Sequence, residues 1–249
     1  MVDKEMNAQR KDRLSVIALL HAESEGPGTL GEFLELSGAE VHTVRLYEGE
    51  RLPSSGDGFE AVVSMGGPMN VYEEDRYPFL WEETKFLREV IESGVPVLGI
   101  CLGSQMIAKA CGARVRRAPA GELGWSEIRL TPAGLCDELF KGLPERMQVL
   151  QWHEDTFEVP TGGTLLATSE VCPSQAFRVR NAYGLQFHIE VTQQMIEEWF
   201  DGLPLRAQIL DCYDVLHHCL SENATKIYTQ FAAIARASAA VRCGPEYVE

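Results

Sequence analysis

The chain has 249 residues, 45% hydrophobic and 24% charged, an ordinary globular composition long enough for one large domain. With 22 Lys and Arg against 37 Asp and Glu, its formal charge of −15 repels phosphate backbones and anionic membranes, which argues against nucleic acid as a partner. The seven cysteines, at 101, 111, 136, 172, 212, 219 and 243, are odd in number and scattered without CxxC pairs, so a disulfide framework is excluded and reduced thiols in a cytoplasm are expected.

Arg10, Lys11 and Arg13 precede the apolar run LSVIALL (14–20) and imitate the start of a signal peptide. The acidic HAESEG follows where a small-residue cleavage site would be needed, so the run is read as a first buried strand. No segment reaches the roughly 20 apolar residues that span a bilayer. GPGTLG (26–31) then matches the G-x-G-x-x-G fingerprint, with Glu48 or Glu50 downstream, and raises a nicotinamide-dependent oxidoreductase. Against it, the five residues HAESE separate the strand from Gly26, and their two carboxylates would face a pyrophosphate. The plainer reading is a loop leading into a helix near Thr29.

Leu30, Phe33, Leu34 and Ser37 share one helical face, and Phe79, Leu80, Phe86, Leu87, Val90 and Ile91 share another. Around them EVHTVRL (40–46), FEAVVSM (59–65) and VPVLGI (95–100) read as further buried strands. After residue 112 come short β-like pieces, ARVRR, SEIRL, MQVL, TFEV, TLLAT, QAFRVR and YGLQFH, suited to an antiparallel extension of the sheet. The helical pattern returns near 192, and 205–240 reads as one or two helices. The expectation is a doubly wound α/β domain over 1–203, with a mostly parallel sheet and helices on both faces, and a helical appendage over 204–249 packed on it.

The strand ending VPVLGI runs through Gly-Ile-Cys-Leu-Gly directly into a helix, the pattern of a nucleophile elbow with cysteine in the serine position. Gly99 and Gly103 remove the Cβ atoms that would collide across such a turn, and helix N-terminal amides favour the thiolate of Cys101. A cysteine nucleophile needs a base. His188 ends the apolar strand YGLQFH, and Glu190, two residues on, lies on the same side of an extended chain, so the three residues make a candidate Cys-His-Glu triad.

GICLGSQ (99–105), GGP (66–68) and LQFHIE (185–190) together resemble the class I (triad) glutamine amidotransferases, over residues 14 to 200. The resemblance implies a flavodoxin-like sheet and hydrolysis of the glutamine side-chain amide through a γ-glutamyl thioester, releasing ammonia, with no cofactor and no metal. It makes Cys101 the nucleophile, His188 the base and then acid, Glu190 the orienting carboxylate, and the amides of Gly67 and Leu102 the oxyanion hole. It places Gln105 against the amino-acid end of the substrate, and Trp152 and His153 of QWHED (151–155) in a segment that binds that end largely through backbone.

One position departs from the family pattern, in which proline commonly lies between the catalytic histidine and the acid. Here it is Ile189, which puts the rigidity of the pair in question. No ATP-pyrophosphatase SGGxDS loop follows, so a separate ammonia-accepting synthetase is the expected partner of a stand-alone hydrolase. The alternatives are a γ-glutamyl peptidase with the same thioester chemistry, or a regulatory binding protein that kept the fold without turnover.

Overall fold

A computed structural model describes residues 13–54 and 58–242; Arg10, Lys11 and Cys243 lie outside them. Among the described residues nine strands form one sheet: β1 (Ser15–Leu20), β2 (Glu40–Arg45), β3 (Ala61–Ser64), β4 (Val97–Ile100), β5 (Val115–Leu130), β6 (Arg146–Phe157), β7 (Thr164–Ser169), β8 (Ala176–Val179) and β9 (Ala182–Leu185). Their spatial order is β2-β1-β3-β4-β9-β8-β7-β5-β6. The first five in that order run parallel and the remainder antiparallel, so β9 is the seam between a doubly wound half and a β extension.

Both faces of the parallel half are covered, which is why its strands read as continuous apolar runs. On one face lie α1 (Gly28–Leu36) and the long helix α6 (Arg206–Arg242), which brings Ile227, Tyr228, Phe231 and Ala235 into the core. On the other lie α2 (Phe79–Glu92) and α3 (Leu102–Ala110), packed through Leu80, Leu87, Val90 and Ile107. The short helices α4 (Pro132–Cys136) and α5 (Gln193–Trp199) complete the set. The sequence left one or two helices open for 205–240, and the chain forms one.

The extension differs in detail from its sequence reading. ARVRR and SEIRL belong to the single strand β5, and MQVL and TFEV to the single strand β6. Pro119 and Gly121 look like breakers, yet they fall where the β5–β6 register shifts between Arg117 and Glu122. A bulge needs no ladder hydrogen bond there, so the strand carries a proline without ending.

GPGTLG has a structural task distinct from nucleotide binding. Gly28 has φ +47, and a Cβ on it would collide with the carbonyl of Glu190. Without that atom, the turn comes close enough for Thr29 N to donate to Glu190 O at 2.9 Å.

Candidate functional site

The loops at the carboxyl ends of β1, β3, β4 and β9 meet one segment of β6 around a cavity of about 480 Å³. This is where the parallel half of an α/β sheet gathers ligand-binding loops. Cys101, Gly67, Leu102, Gln105, Trp152, His153 and His188 line it, and Glu190 lies behind His188.

Cys101 sits between β4 and α3 at φ 50° and ψ −106°, a backbone conformation that costs a non-glycine residue about 1–3 kcal/mol. The surroundings hold it there. Its N–H donates to Leu185 O at 2.8 Å on the neighbouring strand, and its carbonyl accepts from Ser104 Oγ at 2.6 Å. Gly99 and Gly103 are both required, because a Cβ on Gly99 would strike the backbone of Gly103, and one on Gly103 would strike the carbonyl of Ser64. The Gly103 amide donates to Met65 O at 3.0 Å, which fixes the start of α3 against the end of β3.

His188 is 2% exposed and joined to β6 through both backbone atoms, to Leu150 O at 2.8 Å and from Leu150 N at 3.3 Å. Its Nδ1 faces Glu190 Oε1 at 2.7 Å, while the Cys101 sulfur, which accepts from Gln186 Nε2 at 3.8 Å, acts on the ring electrostatically. Burial pushes the imidazole down, but Glu190 and the Cys101 sulfur outweigh it and hold the ring well above its usual value. Trp199 stands edge-on to the ring with centroids 4.9 Å apart. Glu190, fully buried, takes a second hydrogen bond on Oε2 from the N–H of Ile189 at 2.9 Å. Proline would have no such donor. Ile189 therefore contributes to holding the pair, and its carbonyl accepts from Tyr228 Oη at 3.1 Å.

Gln105 is buried, not on the helix's solvent face, with Nε2 3.2 Å from Gln186 Oε1 and 3.4 Å from Asp155 O. Trp152 packs on Phe200 at 4.6 Å between ring centroids and offers its carbonyl to the Cys101 thiol at 3.6 Å. His153 presents backbone to the cavity, since its Nδ1 is bonded to Asp155 O at 2.9 Å and its Nε2 lies 3.1 Å from Glu122 Oε2.

Sequence reasoning passed over Glu25, Asn70, Asp155 and Trp199, which also line the cavity. Asp155 is 5% exposed and its Oδ2 has no hydrogen-bond partner within reach among the described residues. Glu25 lies against Gly66, and burial pushes its carboxyl up, with His188 opposing and Glu190 adding to the shift. One signal for Glu25 was available: HAESE follows the carboxyl end of a parallel strand.

Glu122, His153 and Cys172 bring possible metal-ligating atoms within 4.8 Å of one another. Each is already engaged by protein. Glu122 also accepts from Ser169 Oγ at 2.8 Å and Gln175 Nε2 at 2.5 Å, and Cys172 Sγ lies 3.1 Å from Thr156 Oγ1. The cluster is a closed hydrogen-bond network.

The family model of glutamine amidotransferase class-I matches residues 31–199. This chain belongs to the class I glutamine amidotransferases. It is 35% identical over 183 residues to the glutamine amidotransferase-like protein YfeJ of Salmonella typhimurium, covering 72% of this chain and 77% of that one. It is 40% identical over 135 residues to the GMP synthase (glutamine-hydrolyzing) of Streptococcus thermophilus, a match spanning 52% of this chain and 24% of the synthase. Among solved structures, a glutamine amidotransferase of Thermotoga maritima superposes with TM-score 0.76 at 30% identity, covering 91% of this chain and 98% of that one. A glutamine amidotransferase of Methylobacillus flagellatus does so with TM-score 0.80 at 28% identity, covering 89% and 94%. As a class I amidotransferase, the chain has the flavodoxin-like sheet of its family, extended by the α6 helix. No helix among the described residues is long and apolar enough to cross a membrane.

Proposed function

We propose that this amidotransferase hydrolyses the side-chain amide of glutamine, or a related γ-glutamyl amide, with Cys101 as nucleophile. The observation that carries the reading is that Cys101 and His188 line one cavity together with Gly67 and Leu102, with Glu190 bonded to His188 at 2.7 Å from behind. His188 takes the thiol proton, the sulfur attacks the amide carbon, and the oxyanion is held by Gly67 N–H and Leu102 N–H. Protonated His188 then gives its proton to the leaving nitrogen, and ammonia departs from a γ-glutamyl thioester. Water, deprotonated by His188, adds to the thioester carbon, and collapse releases glutamate and restores the thiol. Glu190 keeps the imidazole oriented and its charge compensated in both halves.

Gln105, Trp152 and the backbone of His153 surround the amino-acid end of the substrate, and the unpartnered Oδ2 of Asp155 suits its ammonium group. The reaction uses no cofactor or metal. The glutamine-hydrolyzing synthases among the relatives support glutamine as substrate and a separate synthetase as acceptor of the ammonia. Six free cysteines among the described residues suit a reducing cytoplasm.

A γ-glutamyl peptidase is the second reading, favoured by cavity size: 480 Å³ lies within the range of about 300–1,000 Å³ that holds drug-sized ligands and leaves room for a leaving group larger than ammonia. Parallel assays of glutamine and γ-glutamylglycine test both. Ammonia release lost in Cys101→Ala supports the amidotransferase reading; glycine release without ammonia release supports the peptidase. Equal rates in wild type and Cys101→Ala would refute both.

A further inference from the structure

Behind the GGP turn lies another buried histidine–carboxylate pair that the reaction above does not use. His21, at the carboxyl end of β1, is 1% exposed; its Nδ1 is 2.9 Å from Gly66 O and its Nε2 is 2.8 Å from Glu83 Oε2. Glu83, on α2 and fully buried, accepts on its other oxygen from Ser64 Oγ at 2.7 Å. A carbonyl can only accept, so Nδ1 carries a proton and the ring reaches both ways from one edge of the turn. Burial opposes a charge on this ring, but Glu83 and the Gly66 carbonyl lift the imidazole above its usual value.

The carbonyl of Gly66 and the amide of Gly67 belong to one peptide plane and point in opposite directions across it. Whatever fixes the carbonyl at the back therefore fixes the amide at the front. Two glycines in succession give this peptide unusual rotational freedom, and a rotated Gly67 amide would present no donor to an oxyanion. The space around it is closed: a Cβ on Gly67 would come within 2.7 Å of Leu102 Cδ2 and 2.8 Å of His21 Cβ. The same network touches the other wall, since the carbonyl of Ser64 abuts Gly103 at the start of α3.

We propose that His21 and Glu83 are positioning residues that lock the Gly66–Gly67 peptide with its N–H toward the oxyanion. The inference rests on the thioester reading above. A donor fixed before the reaction stabilises the charge that develops without reorganising during it, and a hydrogen bond on the carbonyl polarises the opposite N–H.

The test is glutamine hydrolysis by wild type, His21→Ala, His21→Asn, Glu83→Gln and Ser64→Ala, with Tm and the rate of Cys101 alkylation by iodoacetamide measured beside it. Loss of one oxyanion donor costs about 10²–10³ in kcat, so His21→Ala should lose about 10²-fold in kcat with little change in KM and an unchanged alkylation rate. Asparagine keeps an N–H near the position of Nδ1 and should recover most of that loss. Wild-type kcat in folded His21→Ala overturns the proposal, as does a His21→Asn variant that regains Tm but not kcat. Should His21→Ala not fold, Glu83→Gln and Ser64→Ala decide: kcat reduced at constant alkylation supports the lock, and kcat unchanged overturns it. Failure of the parent reading looks different, because wild type itself would then release no ammonia.

Discussion

Of the three buried histidine–glutamate pairs among the described residues, two sit in contrasting surroundings. At the end of β9, His188 meets Glu190 at 2.7 Å; in the antiparallel extension, His153 meets Glu122 at 3.1 Å. Both rings are almost wholly enclosed. They differ in what else acts on the ring: for His153 it is a backbone carbonyl at 2.9 Å, for His188 the Cys101 side chain, which acts on it electrostatically. A carboxylate orients an imidazole in either setting, and only a partner that can give up a proton makes the ring a base. On the proposed mechanism, the extension holds a structural pair and the parallel half a reactive one.

The hardest way to break this contrast is to remove the sulfur. Cys101→Ser should lower glutamine hydrolysis by about 10⁴-fold or more, measured as ammonia release, while far-ultraviolet circular dichroism stays unchanged. His188→Asn comes next, with a loss of about 10²–10⁴, because proton transfer fails in both half-reactions. Glu190→Gln should lose less than His188→Asn, since the base remains and only its orientation and charge support go. If Glu122→Gln instead matched the loss of His188→Asn, the contrast between the two pairs would collapse. That change should act mainly on stability, costing about 1–3 kcal/mol in urea denaturation with kcat near the wild-type level, because it disturbs a buried network that makes no hydrogen bond to His188 or Glu190.

A pH titration sharpens the comparison with a smaller effect. Folding raises the pKa of His188, so the proton is bound more tightly in the native state. The stability this contributes is complete below about pH 6.5, the value of an unperturbed histidine, and is lost as pH rises through the raised native value. The ring nitrogen shifts of His188 in NMR should accordingly titrate above the range of an unperturbed histidine. Titration at or below that range would contradict the support that Glu190 gives the charged ring.

The strands of the parallel half and the residues of the elbow were legible in the chain because each is local. A buried parallel strand is a run of apolar residues, and the turn around Cys101 needs its glycines within four positions of one another. What stayed hidden is long-range pairing. His21 and Glu83 are 62 residues apart and meet only across the β1–β3 edge of the sheet, and nothing in either segment names the other. Likewise β5 reads as two pieces because a proline is visible in sequence and a bulge is not. GPGTLG is hard to read for a related reason: its Gly28 answers a steric demand set by Glu190, far along the chain. Ile189 is the converse, a departure that looks like lost rigidity until its N–H is seen on Glu190.

Tyr228 adds a matter of timing. Its hydroxyl lies 3.0 Å from Thr29 Oγ1 and donates to Ile189 O at 3.1 Å, so it props the turn that carries Glu190. The thiol, the base and the carboxylate have all been synthesised by residue 190, but this prop comes 38 residues later in the last helix of the described chain, one face of which forms part of the core. During synthesis the strands of the sheet and Cys101 therefore precede the helix whose tyrosine braces this turn. On the proposed mechanism, the catalytic site is complete only once α6 docks.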